Sequence, residues 1–362
     1  MTGTAGSADG VLRRVSRLAA RPGTRRVLWL VAGAAIAVSL LLAVRSTVDD
    51  GALVSLRMFG TREIGWVLAA GLVTNIAGVY LSMRAWRVFV DAPGTDTRSA
   101  TRIFYVGFLS KFVPGRVWSI LAQIDLGRAA GIGARRIVSA FFLSMATGLL
   151  AGALLGLAAV PLAFGTSGPA TALVALGAAG AVVVLAWPRL LSGAVRRAVT
   201  AVGRGHVVEA ADREVRLSLL LAAGGWILSG AHAGFLALAA GAEPGPGLAA
   251  GIGGFAAATV AGTLAVVFPD GIGVREVALT APLAAVLPLD AALAVVITSR
   301  LLCLTGEVLL CGTWLLADRV RRRAAAADVT AADDAAAPLP ADAAPAPPPP
   351  RPAPAGPSPH RP

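Results

Sequence analysis

A chain of 362 residues in which 56% are hydrophobic and 14% charged, with a mean hydropathy of +0.73, is too apolar to be one or two soluble domains of ordinary composition. Its apolar residues fall in separate blocks long enough to cross a hydrocarbon core of about 30 Å. That excludes a secreted disulfide scaffold, a soluble dinucleotide-binding enzyme and a coiled coil. The net charge of +12 would point to nucleic acid in a soluble protein, but here the arginines stand in short segments between apolar blocks. Membrane topology explains them, and no nucleic-acid partner is expected.

In chain order, residues 1–26 form a basic arm carrying Arg13, Arg14, Arg17, Arg21, Arg25 and Arg26, which either fixes topology or lies on anionic headgroups. The first apolar block, Val27 to Val44, is long enough to span and is expected to stay as a helix rather than leave as a signal peptide. Five further blocks read as full spans: Ile64 to Met83, Ile137 to Val160, Ala170 to Trp187, Leu217 to Ala240 and Ala291 to Ala317. Two stretches are interrupted instead. The first, 103–130, breaks at Lys111-Phe112-Val113-Pro114-Gly115-Arg116; the second, 249–288, breaks at Phe268-Pro269-Asp270-Gly271-Ile272-Gly273-Val274-Arg275-Glu276. Proline removes a backbone donor and glycine frees the dihedrals, so both points break a helix. Irregular backbone at membrane depth is tolerated only where protein or water covers it.

Arginine-rich connections (the arm, 84–102, 131–136, 188–216 and the segment after 317) alternate with arginine-poor ones at 161–169, 241–247 and 286–290. The positive-inside rule places the rich set and both termini in the cytoplasm. An Ala-, Gly- and Arg-rich composition marks a GC-rich bacterial genome, hence a bacterial plasma membrane. The alternation closes only if each interrupted stretch enters and leaves on one side, 103–130 from the cytoplasm and 249–288 from outside. The expected fold is an all-α polytopic integral membrane protein, with six full spans and two oppositely oriented re-entrant hairpins arranged as an inverted repeat. Its parts are a first repeat at 27–160, an external link at 161–169, a second repeat at 170–317 and a disordered Ala/Pro-rich cytoplasmic tail at 318–362.

The ionisable residues inside apolar stretches are few: Lys111, Arg116, Asp125, Arg128, Asp270, Arg275, Glu276, Arg300 and Glu307, with His232 in a span. A charge at the bilayer centre costs at least about 2.5–3.5 kcal/mol, so each needs a partner, a water-filled cavity or a function. Pro114-Gly115-Arg116 and Pro269-Asp270-Gly271-Ile272-Gly273 should leave helix ends whose free N–H groups face a cavity, the backbone form of a phosphate or carboxylate site. Arg116, Arg275 and Arg300 supply paired donors for an anionic headgroup and Lys111 a point charge. The competing reading is that Arg116, Arg275, Glu276 and Asp270 pair with one another and only hold the hairpins together. The candidate binding set is Lys111, Pro114, Gly115, Arg116, Trp118, Asp270, Gly271, Gly273, Arg275, Glu276, Arg300 and Glu307. His232, with Trp226 and Ser229 at helical spacing, is expected to bond a neighbouring helix. No Gly-rich nucleotide loop followed by Lys and Ser or Thr occurs, and no cofactor, metal or catalytic residue is expected.

The run Gly107-Phe108-Leu109-Ser110-Lys111-Phe112-Val113-Pro114-Gly115-Arg116-Val117-Trp118-Ser119, followed by Leu126-Gly127-Arg128-Ala129-Ala130-Gly131-Ile132, resembles the lysylphosphatidylglycerol synthase transmembrane region family, also called flippase-like. So do Phe268-Pro269-Asp270-Gly271-Ile272-Gly273-Val274-Arg275-Glu276-Val277-Ala278-Leu279 and Thr298-Ser299-Arg300-Leu301. The likeness covers roughly Val27 to Ala317. It implies a membrane part that moves a lipid between leaflets, whereas in the fused synthases a separate soluble domain transfers the aminoacyl group. That reaction is not expected here. Many members carry an acidic–basic pair early in the span after the first hairpin, where this chain reads Phe141-Phe142-Leu143-Ser144-Met145.

The leading expectation is a flippase-like transporter of an anionic lipid: a phospholipid, an aminoacyl-phospholipid or a polyprenyl-phosphate-linked sugar. The alternatives are a polyprenyl-phosphate-dependent membrane glycosyltransferase using Asp49 and Asp50, and a non-transporting partner of cell-envelope biosynthetic enzymes acting through its tail. A homodimer is the oligomeric arrangement considered.

Overall fold

The apolar blocks fold as helices because a spanning segment must satisfy every backbone N–H and C=O within itself. The computed structural model describes residues 64–91, 95–112, 117–164, 168–201, 209–265, 271 and 273–336. Among them are ten α-helices and no strand: α1 (Ile64–Val90), α2 (Thr97–Leu109), α3 (Val117–Ala129), α4 (Ala134–Ala163), α5 (Gly168–Ala186), α6 (Pro188–Ala201), α7 (Asp212–Ala239), α8 (Pro244–Leu264), α9 (Val274–Ala284) and α10 (Leu289–Ala336). The expected span Val27 to Val44 and both helix-breaking prolines, Pro114 and Pro269, lie outside the described residues.

Six of these helices, α1, α4, α5, α7, α8 and α10, are long and apolar enough to cross a membrane. Side-chain placement is inverted relative to a water-soluble protein. Val182 and Leu176 are 66% and 59% exposed, whereas Asn75, Thr147, Ser218 and His232 are buried. Lipid tails offer no hydrophobic drive between helices, so the contacts rest on small residues and hydrogen bonds. At the crossing of α1 and α7, a Cβ on Gly78 would come within 2.7 Å of the Gly225 carbonyl. Gly156 faces Ala257 in the same way between α4 and α8. Thr147 and Ser218 share a 2.9 Å hydrogen bond between α4 and α7.

Both interrupted stretches fold back on themselves. In the first, α2 and α3 are 13 residues each, about 20 Å at 1.5 Å per residue, and each is shorter than the ~30 Å core. Ser119 on α3 donates to the Gly107 carbonyl on α2 at 2.7 Å, which fixes the antiparallel return. Asp96 starts α2 by accepting from the backbone N–H groups of Arg98 and Ser99 at 3.1 and 2.9 Å. These bonds and the Ser99 hydroxyl hold its carboxyl below the usual carboxylate range. In the second stretch, α9 returns along α8: Gly254 packs against Pro282, and Gly262 against Gly271. Gly271 has φ +69°, and a Cβ there would sit 2.5 Å from the Gly262 Cα, so the turn admits glycine for two reasons. The limbs are unequal. With 21 residues, α8 reaches about 32 Å, whereas the 11 residues of α9 reach about 17 Å.

Helix ends differ from the sequence expectation where local propensity extends them. The first of these, α1, runs on to Val90 and takes in Arg84 and Arg87, because neither breaks a helix and Arg87 pairs with Asp91 at 2.7 Å. Part of the 188–216 connection is helical: α6 buries Val195 and Val199 while exposing Arg196 and Arg197, an amphipathic pattern. The chain divides after Leu315 into two units. The second, from Leu316, is helical to Ala336, so residues 318–336 are helical rather than part of the expected disordered tail. Alanine is the strongest helix former, no proline intervenes before Pro338, and Arg322 pairs with Asp318 at 2.8 Å. Residues 337–362 lie outside the described set.

Candidate functional site

A cavity of about 310 Å³ lies within the first unit, and both hairpins reach it. The first hairpin contributes Gly107, Phe108, Lys111, Ser119 and Gln123; the second contributes Phe255, Thr259, Thr263 and Arg275. Asn75 and Trp86 of α1, Phe141, Ser144 and Met145 of α4, and Glu307 of α10 complete much of the wall. Aromatic and hydroxyl groups thus alternate around a small set of charges.

Lys111 sits in the short 3₁₀ turn that ends α2. Its Nζ donates to Glu307 Oε1 at 2.7 Å and lies 4.5 Å from the centre of the Phe108 ring. Glu307 is 6% exposed, so this pair spares two charges the cost of facing hydrocarbon alone. It also ties the first hairpin to α10. From the second hairpin, Arg275 is 6% exposed; its guanidinium covers the Phe255 ring at 4.6 Å and donates to Cys303 Sγ at 3.6 Å. A cation over an aromatic face keeps part of its hydration energy in a dry place.

Behind this wall is a second polar layer. His232 is fully buried; its Nε2 bonds Ser299 Oγ at 2.7 Å and its Nδ1 meets the Ser229 carbonyl. That is the bond between neighbouring helices expected for His232, here joining α7 to α10. Asn75 Nδ2 donates to Cys303 Sγ at 3.4 Å, and Trp226 Nε1 donates to the Gly148 carbonyl at 2.8 Å.

The family model for the lysylphosphatidylglycerol synthase TM region matches residues 25–311, most of the chain, including every residue of the cavity wall. The chain belongs to that family. No curated protein matches it closely. Membership and the six apolar helices together make it a multi-pass membrane protein, in a family whose membrane region is tied to lipid. The uncharged stretch from Phe141 to Met145 places Phe141, Ser144 and Met145 on the cavity.

Of the candidate binding residues, the structure brings Lys111, Arg275 and Glu307 to the cavity. Arg300 and Glu276 stand off the cavity wall, as an ion pair at 3.4 Å between α10 and α9, a different pairing from the one within the hairpins weighed for Glu276. Of the N–H groups expected free at the start of α9, that of Gly273 is met internally: it donates to Glu276 Oε2 at 2.7 Å, because a glutamate three residues into a helix reaches back to its start. Gly271 and Gly273 form the turn, both with positive φ, and do not line the cavity. Pro114, Gly115, Arg116 and Asp270 lie outside the described residues, as does the side chain of Trp118.

Sequence reasoning missed Asn75, Trp86 and Gln123. All three are at least 96% buried on the cavity wall, and among the described residues Asn75 Oδ1, Trp86 Nε1 and Gln123 Oε1 have no hydrogen-bond partner. A signal was present. Asn75 is the only asparagine in the chain, Gln123 the only glutamine and Lys111 the only lysine, and all three meet here.

Proposed function

We propose that this protein is a flippase-like transporter that moves a lipid with an anionic headgroup between the leaflets of a bacterial plasma membrane, with both termini in the cytoplasm. The observation that carries this reading is the cavity of about 310 Å³, set in a bundle whose outer face is apolar and lined by a cation from each hairpin, Lys111 and Arg275. Lipid transport needs such a place, where a headgroup trades water for protein donors while its chains stay in the bilayer.

The reading of the chain as two inverted halves is supported by the packing. The helices before the hairpins, α1 and α7, cross each other at Gly78 and Gly225. Each hairpin then reaches the last helix of the other half: Lys111 bonds Glu307 on α10, and Gly253 of α8 abuts Ala159 on α4. Rocking of one half against the other about the α1–α7 crossing would alternate access to the cavity. We read the protein as a transporter rather than an enzyme, since among the described residues the groups on the cavity wall bind and neutralise charge and none is posed against a second as nucleophile and base.

The test is leaflet exchange in liposomes, using anionic phospholipids labelled on an acyl chain so that the headgroup stays native. The full chain should speed exchange, and Lys111→Ala and Arg275→Ala should each slow it at least about tenfold, the cost of losing a charge-assisted contact. Equal exchange in empty and protein-bearing vesicles, across phospholipid and prenyl-phosphate cargos, would end the proposal.

A further inference from the structure

Helix α6 contributes nothing to the cavity wall, yet it joins an apolar face to a cluster of exposed arginines. We infer that α6 lies in the membrane surface and that the arginines around it hold anionic phospholipid headgroups of the leaflet at that end of the bundle. This surface is separate from the cavity and does not depend on the cavity moving a lipid.

Its position follows from how α5 stops. Pro188 has no N–H with which to carry the span onward, and it opens α6 directly. Arg216 of α7 donates to the last carbonyls of α5, those of Leu185 and Ala186, at 2.8 and 3.4 Å. On α6, the buried Val195 and Val199 share one core cluster with Val90 at the end of α1, Ile137 in the first turn of α4 and Val215 in the first turn of α7. The helix is therefore packed on helix ends, at the level where spans leave the bilayer. Its opposite face, Leu190, Ala194 and Arg197, is exposed, as is Trp187 just before it. Tryptophan, leucine and arginine together at the end of a span suit the boundary between acyl chains and headgroups.

Charge at this end is not balanced. The side chains of Arg128, Arg135, Arg197 and Arg213 are exposed, and among the described residues none of them has an ion pair or hydrogen bond. Arg128 and Arg135 flank the turn whose Ile132 belongs to the same cluster, and Arg213 stands in the first turn of α7. The carboxylates here are already engaged. Asp91 accepts from Arg87, Glu209 from Arg196 and Asp212 from Arg189; Asp96 and Glu214 cap α2 and α7, and Asp125 also has a partner. What remains is a set of uncompensated guanidinium groups beside an apolar helix face, and phosphate is the anion that a bilayer supplies at that depth. An acidic soluble partner would match the arginines but not the apolar face.

The experiment places a dye on α6. Both native cysteines are buried, so Ala194→Cys gives the full-length protein one accessible thiol for a bimane label. Ala172→Cys, exposed near the start of α5, gives a matching site toward the other end of that span. Each protein is placed in phosphatidylcholine vesicles holding a minor fraction of either phosphatidylglycerol or phosphatidylcholine brominated on the acyl chains, so that quenching reports which lipid stands beside the dye. At about 20 mM salt, phosphatidylglycerol should be enriched at least about fivefold over phosphatidylcholine at position 194 and less than about twofold at 172. Replacing Arg128, Arg135, Arg197 and Arg213 together by glutamine should cut the enrichment at 194 to within about twofold, as should about 0.5 M salt with the arginines in place. No enrichment at 194 overturns the inference, as does one that survives either the replacement or the salt, or that is equal at 172. If neither brominated lipid quenches at 194, α6 stands clear of the bilayer and the inference fails in favour of a soluble acidic partner.

Discussion

The two hairpins share a plan, a helix, a Gly-containing break and a returning helix, but differ in limb length and in what their polar groups bind. The first has two short limbs and turns its side chains toward the cavity: Lys111 and Gln123 line it, and Ser119 locks the return. The second has a long and a short limb, and of its two described charges one is turned away from the cavity. There Glu276 caps α9 and pairs with Arg300, and Arg275 reaches the cavity by lying on Phe255. Two breaks that look alike in sequence thus divide the work. The first gives the cavity wall Lys111, Ser119 and Gln123, and the second gives it Arg275 while Glu276 caps its own returning helix.

The sharpest way to break this contrast is at the Lys111–Glu307 pair. Glu307→Gln leaves Lys111 without its carboxylate in a mostly buried place, and the protein in detergent should lose at least about 2 kcal/mol of stability, read from thermal unfolding. Lys111→Met combined with Glu307→Leu should restore much of that stability while exchange stays low. In the second hairpin, Gly271→Ala meets both a positive φ and the Gly262 backbone, and a loss of about 1–3 kcal/mol is expected. That loss should appear as reduced stability with lipid selectivity intact.

Smaller effects sharpen the picture. Gly107→Ala should displace Gln123 and cost about 1–2 kcal/mol, read from thermal unfolding in detergent. If Gly107→Ala costs nothing, the place of Gln123 does not depend on the opposite limb. At the start of α2, Asp96→Asn should cost well under about 1 kcal/mol, since asparagine also caps. Its signature is a pH dependence. The folded carboxyl titrates below its unfolded value, so its contribution is complete above the unfolded pKa and fades as pH falls through the folded one. A pH titration of stability in acid should lose that slope in the variant.

Much of the fold was legible because a bilayer imposes a length and a polarity on every span. The blocks around Ile137 to Val160 and Leu217 to Ala240 match α4 and α7 within a few residues. Around the interruptions, the described helices end at Leu109 and Leu264 and resume at Val117 and Val274. The span ends were less legible, since Arg84 and Arg87 read as loop yet continue α1, and the alanine run after Arg323 continues a helix. The site was half legible. Charges inside apolar stretches drew notice to Lys111, Arg275 and Glu307, but the same rule drew in Arg300 and Glu276, which form an ion pair off the cavity wall. Asn75, Trp86 and Gln123 escaped because amides and indoles cost little in hydropathy, and only their rarity set the amides apart.

Composition and periodicity alone determined that this is a helical membrane protein with two broken segments and a small stock of embedded charge, because the cost of exposing backbone and charge to lipid acts on each segment separately. Which charges cancel and which face a ligand was decided by tertiary structure. Pairing depends on distances between helices far apart in the chain: Lys111 reaches Glu307 across 196 positions, and hydropathy read along one helix carries no record of the neighbour that will stand opposite it.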